Sequence, residues 1–328
     1  MKNLIQLVAA MQLPEDRGNG MSHGTIVASN DSRFSAGNAS VELTQFSQAL
    51  VDSAQLEREL EIVAPSVPAA RKFTWRKHDD AADFQTEGDD VRAIGAPFKQ
   101  VKSTGTEENG RTLNKGLTVI LDNDEMLPGD EERWAGRLTR RIFRNDLVRA
   151  YAGLISAATP SALVWNGKSA PDADVAKLLF QGGEERGLAS NTVVYGGAAW
   201  LYRFLAYSDA ARQNGGAAAA LTPEQLAMLL MVDSVLVSKA YKQSTASAKA
   251  AVLGSYVLAY HAQANASPDD PSNIKRFVTP VEGGGKVRVY VKREDKMTAV
   301  TVEHYSNIIV TSTKGIRVAT ITQAAQQG

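Results

Sequence analysis

Residues 128–160 read PGDEERWAGRLTRRIFRNDLVRAYAGLISAATP, and this stretch decides the fold. Pro128-Gly129-Asp130 is a turn with Asp130 placed as a helix N-cap, and Glu131 and Glu132 follow in the first turn, where the helix dipole favours negative charge. Trp134, Leu138, Ile142, Leu147, Tyr151, Leu154 and Ile155 then recur at mostly helical steps and make one apolar stripe. Arg133, Arg137, Arg140, Arg141, Arg144 and Arg149 cover much of the remainder, and Thr159-Pro160 ends the run. At 1.5 Å per residue the helix is ~43 Å long, far above the usual three to four turns. Its basic face could line an interior that meets nucleic acid, or pair with acids on another helix or subunit.

On the N-terminal side, residues 91–122 suggest a long hairpin with arms Val91 to Ser103 and Leu113 to Leu121. The tip, Thr104 to Gly110, is dense in turn formers. Lys99, Gln100 and Lys102 keep the first arm polar, and a lone ribbon is marginal in water. It therefore has to rest on something else, and its arms outreach the body of the subunit. Before it, residues 71–90 alternate basic, aromatic and acidic groups. They read as an extended segment pinned by Phe73 and Trp75, in preference to a nucleic-acid strip, because the following acids cancel the field. Leu43 to Leu60 has helical spacing, closed by Pro65 and Pro68. Residues 12–42 are rich in Gly, Asn and Ser and read as a flexible arm, or as an arm ordered by a partner.

On the C-terminal side, residues 161–282 read as a compact α+β domain. Its helices run from Pro171 to about Gln181, from Ala198 to Tyr207, and onward from the capping box Thr222-Pro223-Glu224-Gln225. Strands are expected at Asn191 to Tyr195, Ser234 to Ser238 and Ser255 to His261, with a Gly/Ala loop at 213–220 and a polar loop at 263–273. The last part is an antiparallel meander: strands around Val287-Val289-Val291, Thr298 to Tyr305, Asn307 to Thr311 and Ile316 to Thr322.

The chain has 328 residues, enough for two or three domains. Lys plus Arg and Asp plus Glu are 36 each, which argues against a polybasic protein bound through its whole-chain charge. Without cysteine there is no disulfide, thiolate nucleophile or zinc finger. The four histidines, His23, His78, His261 and His304, form no metal-binding pair. No apolar run approaches the ~20 residues of a membrane span, and the apolar start of the chain is too short and interrupted for a signal peptide.

Gly105-Thr106-Glu107-Glu108-Asn109-Gly110-Arg111-Thr112 nearly matches a phosphate-binding loop, but Arg replaces the required Lys, and the next residues read as strand instead of helix. The acids Asp122, Asp124, Glu125, Asp130, Glu131 and Glu132 lack the spacing of a calcium loop. Gly283-Gly284-Gly285-Lys286 is a flexible strand entry, and Glu303-His304 in a strand point to opposite faces. The sequence thus assigns no catalytic, cofactor-binding or metal residue and no cofactor, and it points to no enzyme.

The order of parts, together with Val91 to Phe98 leading to Thr112 to Leu117, Val235 to Ala240, Ser267 to Asn273 and Val302 to Asn307, resembles the major capsid protein of tailed bacteriophages, a fold shared with encapsulins. The likeness covers about residues 60–325. It implies an α+β tailed-phage capsid fold with an N-arm at 1–85, an extended hairpin loop at 86–122, a peripheral domain with a spine helix at 123–160, an axial domain at 161–285 and C-terminal strands at 286–328 that complete the peripheral/axial core. The implied function is a structural subunit of an icosahedral shell around double-stranded DNA; the alternative is an encapsulin-type compartment around a cargo enzyme. Implied partners are the chain itself in hexamers and pentamers, a separate scaffolding protein, a portal, a decoration protein in some shells and packaged DNA contacted non-specifically, with no membrane. The place would be the virion, and the host cytoplasm before assembly. In some members a loop Lys crosslinks to an Asn of another subunit; Lys99, Lys102 and Lys115 are the donors this resemblance would offer.

The near-match at 105–112 gives the first prediction. Titration of ATP into the parent protein, Arg111→Ala and Gly110→Ala should give no detectable binding in any of the three; a micromolar dissociation constant abolished by either change would overturn it.

Overall fold

The computed structural model describes residues 36–53, 55–77, 91, 94, 106–208, 215–245, 247–281 and 285–323. In chain order, helices α1 (Val41–Ser53) and α2 (Gln55–Val63) lead to strands β1 (Ser66–Pro68), β2 (Lys72–Lys77), β3 (Thr106–Arg111) and β4 (Leu113–Asp122). Helix α3 (Asp130–Ala157) follows, then β5 (Ser161–Trp165), α4 (Pro171–Arg186), β6 (Thr192–Gly196), α5 (Gly197–Ser208), α6 (Gly215–Ala219) and α7 (Pro223–Leu230). The remainder is strand: β7 (Ser234–Ser238), β8 (Tyr241–Gln243), β9 (Lys249–Ala251), β10 (Tyr256–Tyr260), β11 (Ile274–Val278), β12 (Val287–Arg293), β13 (Met297–Val310) and β14 (Arg317–Gln323).

Two five-stranded sheets organise these elements. In the first, β13 is the common partner: antiparallel to β4 over Met297–Ser306, to β12 over Thr298–His304 and to β11 over Ser306–Val310. Strand β1 adds to β11 in parallel. Helix α3, 28 residues long, lies across this sheet. Its buried stripe of Leu138, Ile142, Leu147, Tyr151 and Leu154 meets Leu117, Val119 and Leu121 of β4 and the valines of β12 and β13. The second sheet runs β5-β14-β10-β6-β7 and mixes parallel and antiparallel pairs. One of its faces, with Val194, Leu258, Tyr260 and Val318, joins the core under α3. The other, with Val193, Val257, Ala259 and Ala319, is covered from α4, α5 and α7 by Val175, Leu178, Ala199 and Leu226. Burial on both faces explains why β6 and β10 are nearly unbroken apolar runs.

Several expectations hold. The capping box at Thr222–Gln225 is formed, with Pro223 at the first helical position. Pro171 opens α4, which continues past Gln181 to Arg186 and ends on Gly187 at φ 77°.

Others are corrected. The helix at 43–60 is two helices, α1 and α2. Asp130 is the first residue of α3 instead of its cap. Gly129, at φ 84°, holds the cap position, and Asp130 Oδ2 accepts from Leu127 N at 2.9 Å. The Gly/Ala loop contains a helical turn, α6, where Ala218 O accepts from Arg203 Nη2. The hairpin pairing is also different. The segment Leu113 to Leu121 pairs with β13, and its inward residues alternate in the core, so it belongs to the first sheet and is not an arm of a free hairpin. The presumed tip is strand β3, paired antiparallel with β2 from Lys72↔Arg111 to Lys77↔Thr106. The arm Val91 to Ser103 lies almost wholly outside the described residues.

The C-terminal meander is corrected too. β13 runs straight through Ser306-Asn307, read from sequence as a break. Both polar side chains are satisfied in the strand: Ser306 Oγ donates to Asp146 Oδ2 at 2.9 Å, and Asn307 Nδ2 donates to the Arg111 carbonyl at 2.9 Å. β14 then leaves for the second sheet. Asn273 fixes that exit: its Nδ2 donates to the carbonyls of Ser312 and Lys314, both at 2.9 Å, and its carbonyl accepts from Thr311 N.

The start of α5 requires a close backbone approach. The Gly254 carbonyl accepts from Ala198 N and Ala199 N, satisfying amides that have no partner within the helix. A Cβ on Gly196 would lie 2.1 Å from that carbonyl oxygen. Gly196→Ala should therefore lower stability by at least ~2 kcal/mol, read as a lower melting temperature, whereas Gly216→Ala, which meets nothing within 4 Å, should not.

Candidate assembly surfaces

Three buried ionic clusters hold the frame from which the surfaces project. On α3, Asp146 is fully buried. Lys115 Nζ of β4 donates to its Oδ1 at 2.7 Å, Arg149 Nη1 at 2.8 Å, and Ser306 Oγ donates to Oδ2. His304 Nε2 stands 3.5 Å from Oδ2, and His304 Nδ1 is 2.6 Å from the Lys286 carbonyl. Burial by itself would raise the Asp146 carboxyl; the neighbouring His304 and the charge and hydrogen bond of Lys115 outweigh it and hold the group well below the usual carboxylate range. Burial likewise lowers Lys115, against the pull of Asp146.

The second cluster joins α2 to β11. Arg276, fully buried, forks onto Glu57 with Nη1 to Oε2 at 2.9 Å and Nη2 to Oε1 at 2.5 Å, and Nη2 also reaches Glu61 at 2.8 Å. Lys286 Nζ adds a 2.7 Å bond to Glu57. The third joins α5 to α4: Arg203 Nε and Nη2 donate to the two Asp172 oxygens at 2.7 and 2.9 Å.

Three features are left facing outward. The ribbon β2–β3 rests on the subunit along β2, where Phe73 stacks on Phe277 at 4.2 Å between centroids, Trp75 is buried and Arg76 N donates to Asp269 Oδ1, and its outer strand β3 is exposed. The described part of the 71–90 segment is thus pinned by its two aromatics, as expected, and 78–90 lie outside the described residues. On α5, Leu201, Phe204 and Leu205 are exposed on one helical face, and Met228, Leu229 and Met231 are exposed at the end of α7. Along α3, Arg133, Arg137, Arg140 and Arg141 face out.

The residues singled out in the sequence are mostly engaged. Glu131 takes both oxygens to Arg293 Nη2 at 2.8 Å, Asp130 pairs with Arg133 at 2.9 Å, and Asp122 accepts from Asp124 N. Among the described residues no group of three His, Asp or Glu is placed to hold a metal ion. Residues 106–111 are strand and lead into strand β4, so no helix N-terminus follows the near-match. Glu303 and His304 face opposite sides: His304 meets Asp146 and Phe143, while Glu303 lies beside Tyr290 and Tyr305. Lys115, whose amine is buried against Asp146, is not available as a crosslink donor; Lys99 and Lys102 lie outside the described residues. His261 sits at the end of β10 with Nδ1 3.1 Å from the Ala189 carbonyl, and His23 and His78 lie outside the described residues. Asn273, Arg276 and Arg203 were not found by sequence reasoning, since their partners are distant in the chain; the only local signal was the Pro271-Ser272-Asn273 motif. Among the described residues no helix is long and apolar enough to cross a membrane.

No family model and no curated protein matches the chain. Solved structures do. A phage-related protein from Bordetella bronchiseptica RB50 superposes with a TM-score of 0.65 at 16% identity, covering 86% of this chain and 96% of that one. A virus-like particle from Pyrococcus furiosus matches with a TM-score of 0.48 at 10% identity over 85% and 98% of the two chains. The capsid of cyanophage P-SCSP1u matches with a TM-score of 0.46 at 8% identity over 81% and 88%. The fold class expected from the sequence is thus the one found: a mixed α+β chain that shares its fold with the Bordetella protein along nearly its whole length.

Asp146 sets an acid limit. A carboxyl held low in the native state contributes stability that is complete above its ordinary value, about pH 4, and decays as pH falls toward the native value. Asp146→Asn, which leaves Lys115 buried without its counter-charge, should cost about 3 kcal/mol near neutral pH and remove part of the acid slope. Melting temperatures of both proteins from about pH 3 to 7 check this; parallel curves would refute it.

Proposed function

We propose that the chain is a structural subunit that self-assembles in many copies, as hexamers and pentamers, into the icosahedral shell of a tailed bacteriophage enclosing double-stranded DNA. The observation that carries this is the ribbon β2–β3. Lys77 and Thr106 are register partners, so the two ends that flank residues 78–105 lie side by side. Their sequence includes Asp79, Asp80, Asp83, Glu87, Asp89 and Asp90, and gives little apolar surface to bury on its own subunit. A clamp onto the next copy makes a head-to-tail contact, which closes into rings when the rotation permits. The shared fold with a phage-related protein supports the same reading.

In this reading the arm and the α1–α2 pair precede a loop spanning the ribbon, 72–111. The first sheet with α3 is the peripheral domain, and the second sheet with α4, α5 and α7 is the axial domain. The exposed apolar residues of α5 and α7 would then lie between neighbouring copies. A scaffolding protein and a portal would be further partners, the virion the final place and the host cytoplasm the place of synthesis. The reading assigns no reaction to the chain.

The test exploits the ribbon's register. A two-residue Asn-Gly turn can join Lys77 directly to Thr106, because these residues already face each other. Replacing 78–105 in this way should leave a folded subunit with nearly unchanged melting temperature and abolish shells in electron micrographs. Normal shells would show that the loop is not a clamp, and a misfolded monomer would show that it belongs to the subunit core.

A further inference from the structure

The charge on α3 is segregated. The helix carries six arginines and no lysine, and its carboxylates are confined to Asp130, Glu131, Glu132 and Asp146. Asp146 faces inward, Asp130 is paired with Arg133, and Glu131 is taken by Arg293. At about 100° per residue, Arg137, Arg140, Arg141 and Arg144 fall within an arc of roughly 100° on the side away from the buried stripe. They lie within two turns, so their guanidiniums occupy a patch roughly 12 Å along the helix, with no carboxylate in it.

Arg137, Arg140 and Arg141 are exposed, and Arg144 is half-buried. Arg137 stacks over Trp134 at 4.9 Å, and Arg144 Nε has no hydrogen-bond partner. Arg140 and Arg141 make no ion pair among the described residues. A chain with net charge zero has thus concentrated permanently charged, planar donors on one outward face. Guanidiniums match phosphate oxygens in pairs, and a duplex presents one charge per ~1.7 Å of its axis.

We infer that this face of α3, carried by Arg137, Arg140, Arg141 and Arg144, is a docking surface for the phosphate backbone of duplex DNA, an inference that rests on the shell reading above. The competing occupant is an acidic protein segment, and the nearest in kind is the run Asp79 to Asp90 of a second copy. Charge favours DNA. The six carboxylates of that run are preceded by Arg71, Lys72, Arg76 and Lys77 and followed by Arg92, Lys99 and Lys102, which offset them, whereas a duplex is anionic along its whole length. Phosphate contacts carry no sequence information, so binding through the backbone is independent of sequence.

The experiment uses the full chain and a labelled 30-base-pair duplex, with affinity read by anisotropy across a salt series. The test protein is R137Q/R140Q/R141Q, and the charge-matched control is K239Q/K242Q/K249Q, three exposed lysines elsewhere. The parent should bind two unrelated duplex sequences equally, with log affinity falling linearly in log salt. The arginine variant should flatten that slope by about 2.7, near 0.9 per lost phosphate contact, and weaken binding at least tenfold at low salt; the control should keep most of both. Equal losses in the two variants, or none in the arginine variant, would overturn the inference. An arginine variant that binds DNA like the parent but no longer forms shells would overturn it in favour of a contact between copies. Micrographs of all three proteins separate the two readings. Shells with the DNA effect absent sink the docking surface alone. A parent that binds DNA through the stripe yet forms no shell keeps the surface and sinks the shell.

Discussion

The rest of the structure depends on how α3 is docked on β13. Burying the stripe from Leu138 to Leu154 against the first sheet gives the main core its depth. At ~25 cal/mol per Å², several such side chains at 1.5–3 kcal/mol each outweigh any single polar contact. That apolar seam does not by itself fix how far the helix slides along the sheet. Asp146 does, because Lys115 of β4 and Ser306 of β13 both donate to it, and one helix position satisfies both.

The other buried ions act in the same way. Removing two charges from water costs several kcal/mol each, so such pairs add little net stability, and breaking one strands its partner. Their positions suggest registry as the gain. Arg276 ties α2 to β11, and Arg203 ties α5 to the start of α4. Glu59 belongs with them: Tyr151 of α3 and Ser238 of β7 both donate to its Oε1, at 2.7 and 2.6 Å. Asp146, Arg276 and Glu59 link elements of different layers, and Arg203 ties two helices of one layer, so the two sheets and the long helix are locked as one frame.

A rigid frame leaves surfaces with distinct physical characters. The ribbon offers backbone and charge beyond an aromatic anchor, the α5–α7 region offers large apolar side chains, and α3 offers guanidiniums. Exposed apolar residues scattered singly need no explanation, but Leu201, Phe204 and Leu205 share one helical face. Mutually different surfaces on one subunit suit head-to-tail contacts better than a self-complementary dimer.

By itself the sequence determined the elements whose patterning is local. The helix of 128–160, the capping box at Thr222, the Pro171 start and the strand alternation of 287–291 follow from spacing and short-range sterics alone. The basic face of α3 was legible for the same reason. Only the tertiary structure decided which strands pair. Leu113–Asp122 has the same alternation whether it closes a hairpin or edges a sheet, and its partner β13 lies some 180 residues away. Likewise the Ser306-Asn307 step reads as a turn until Asp146 and the Arg111 carbonyl accept its polar groups. The exit of β14 to the second sheet waits on Asn273, whose bonds to Ser312 and Lys314 span about 40 residues. Pairing and buried polar satisfaction are long-range, and a local pattern carries no record of them.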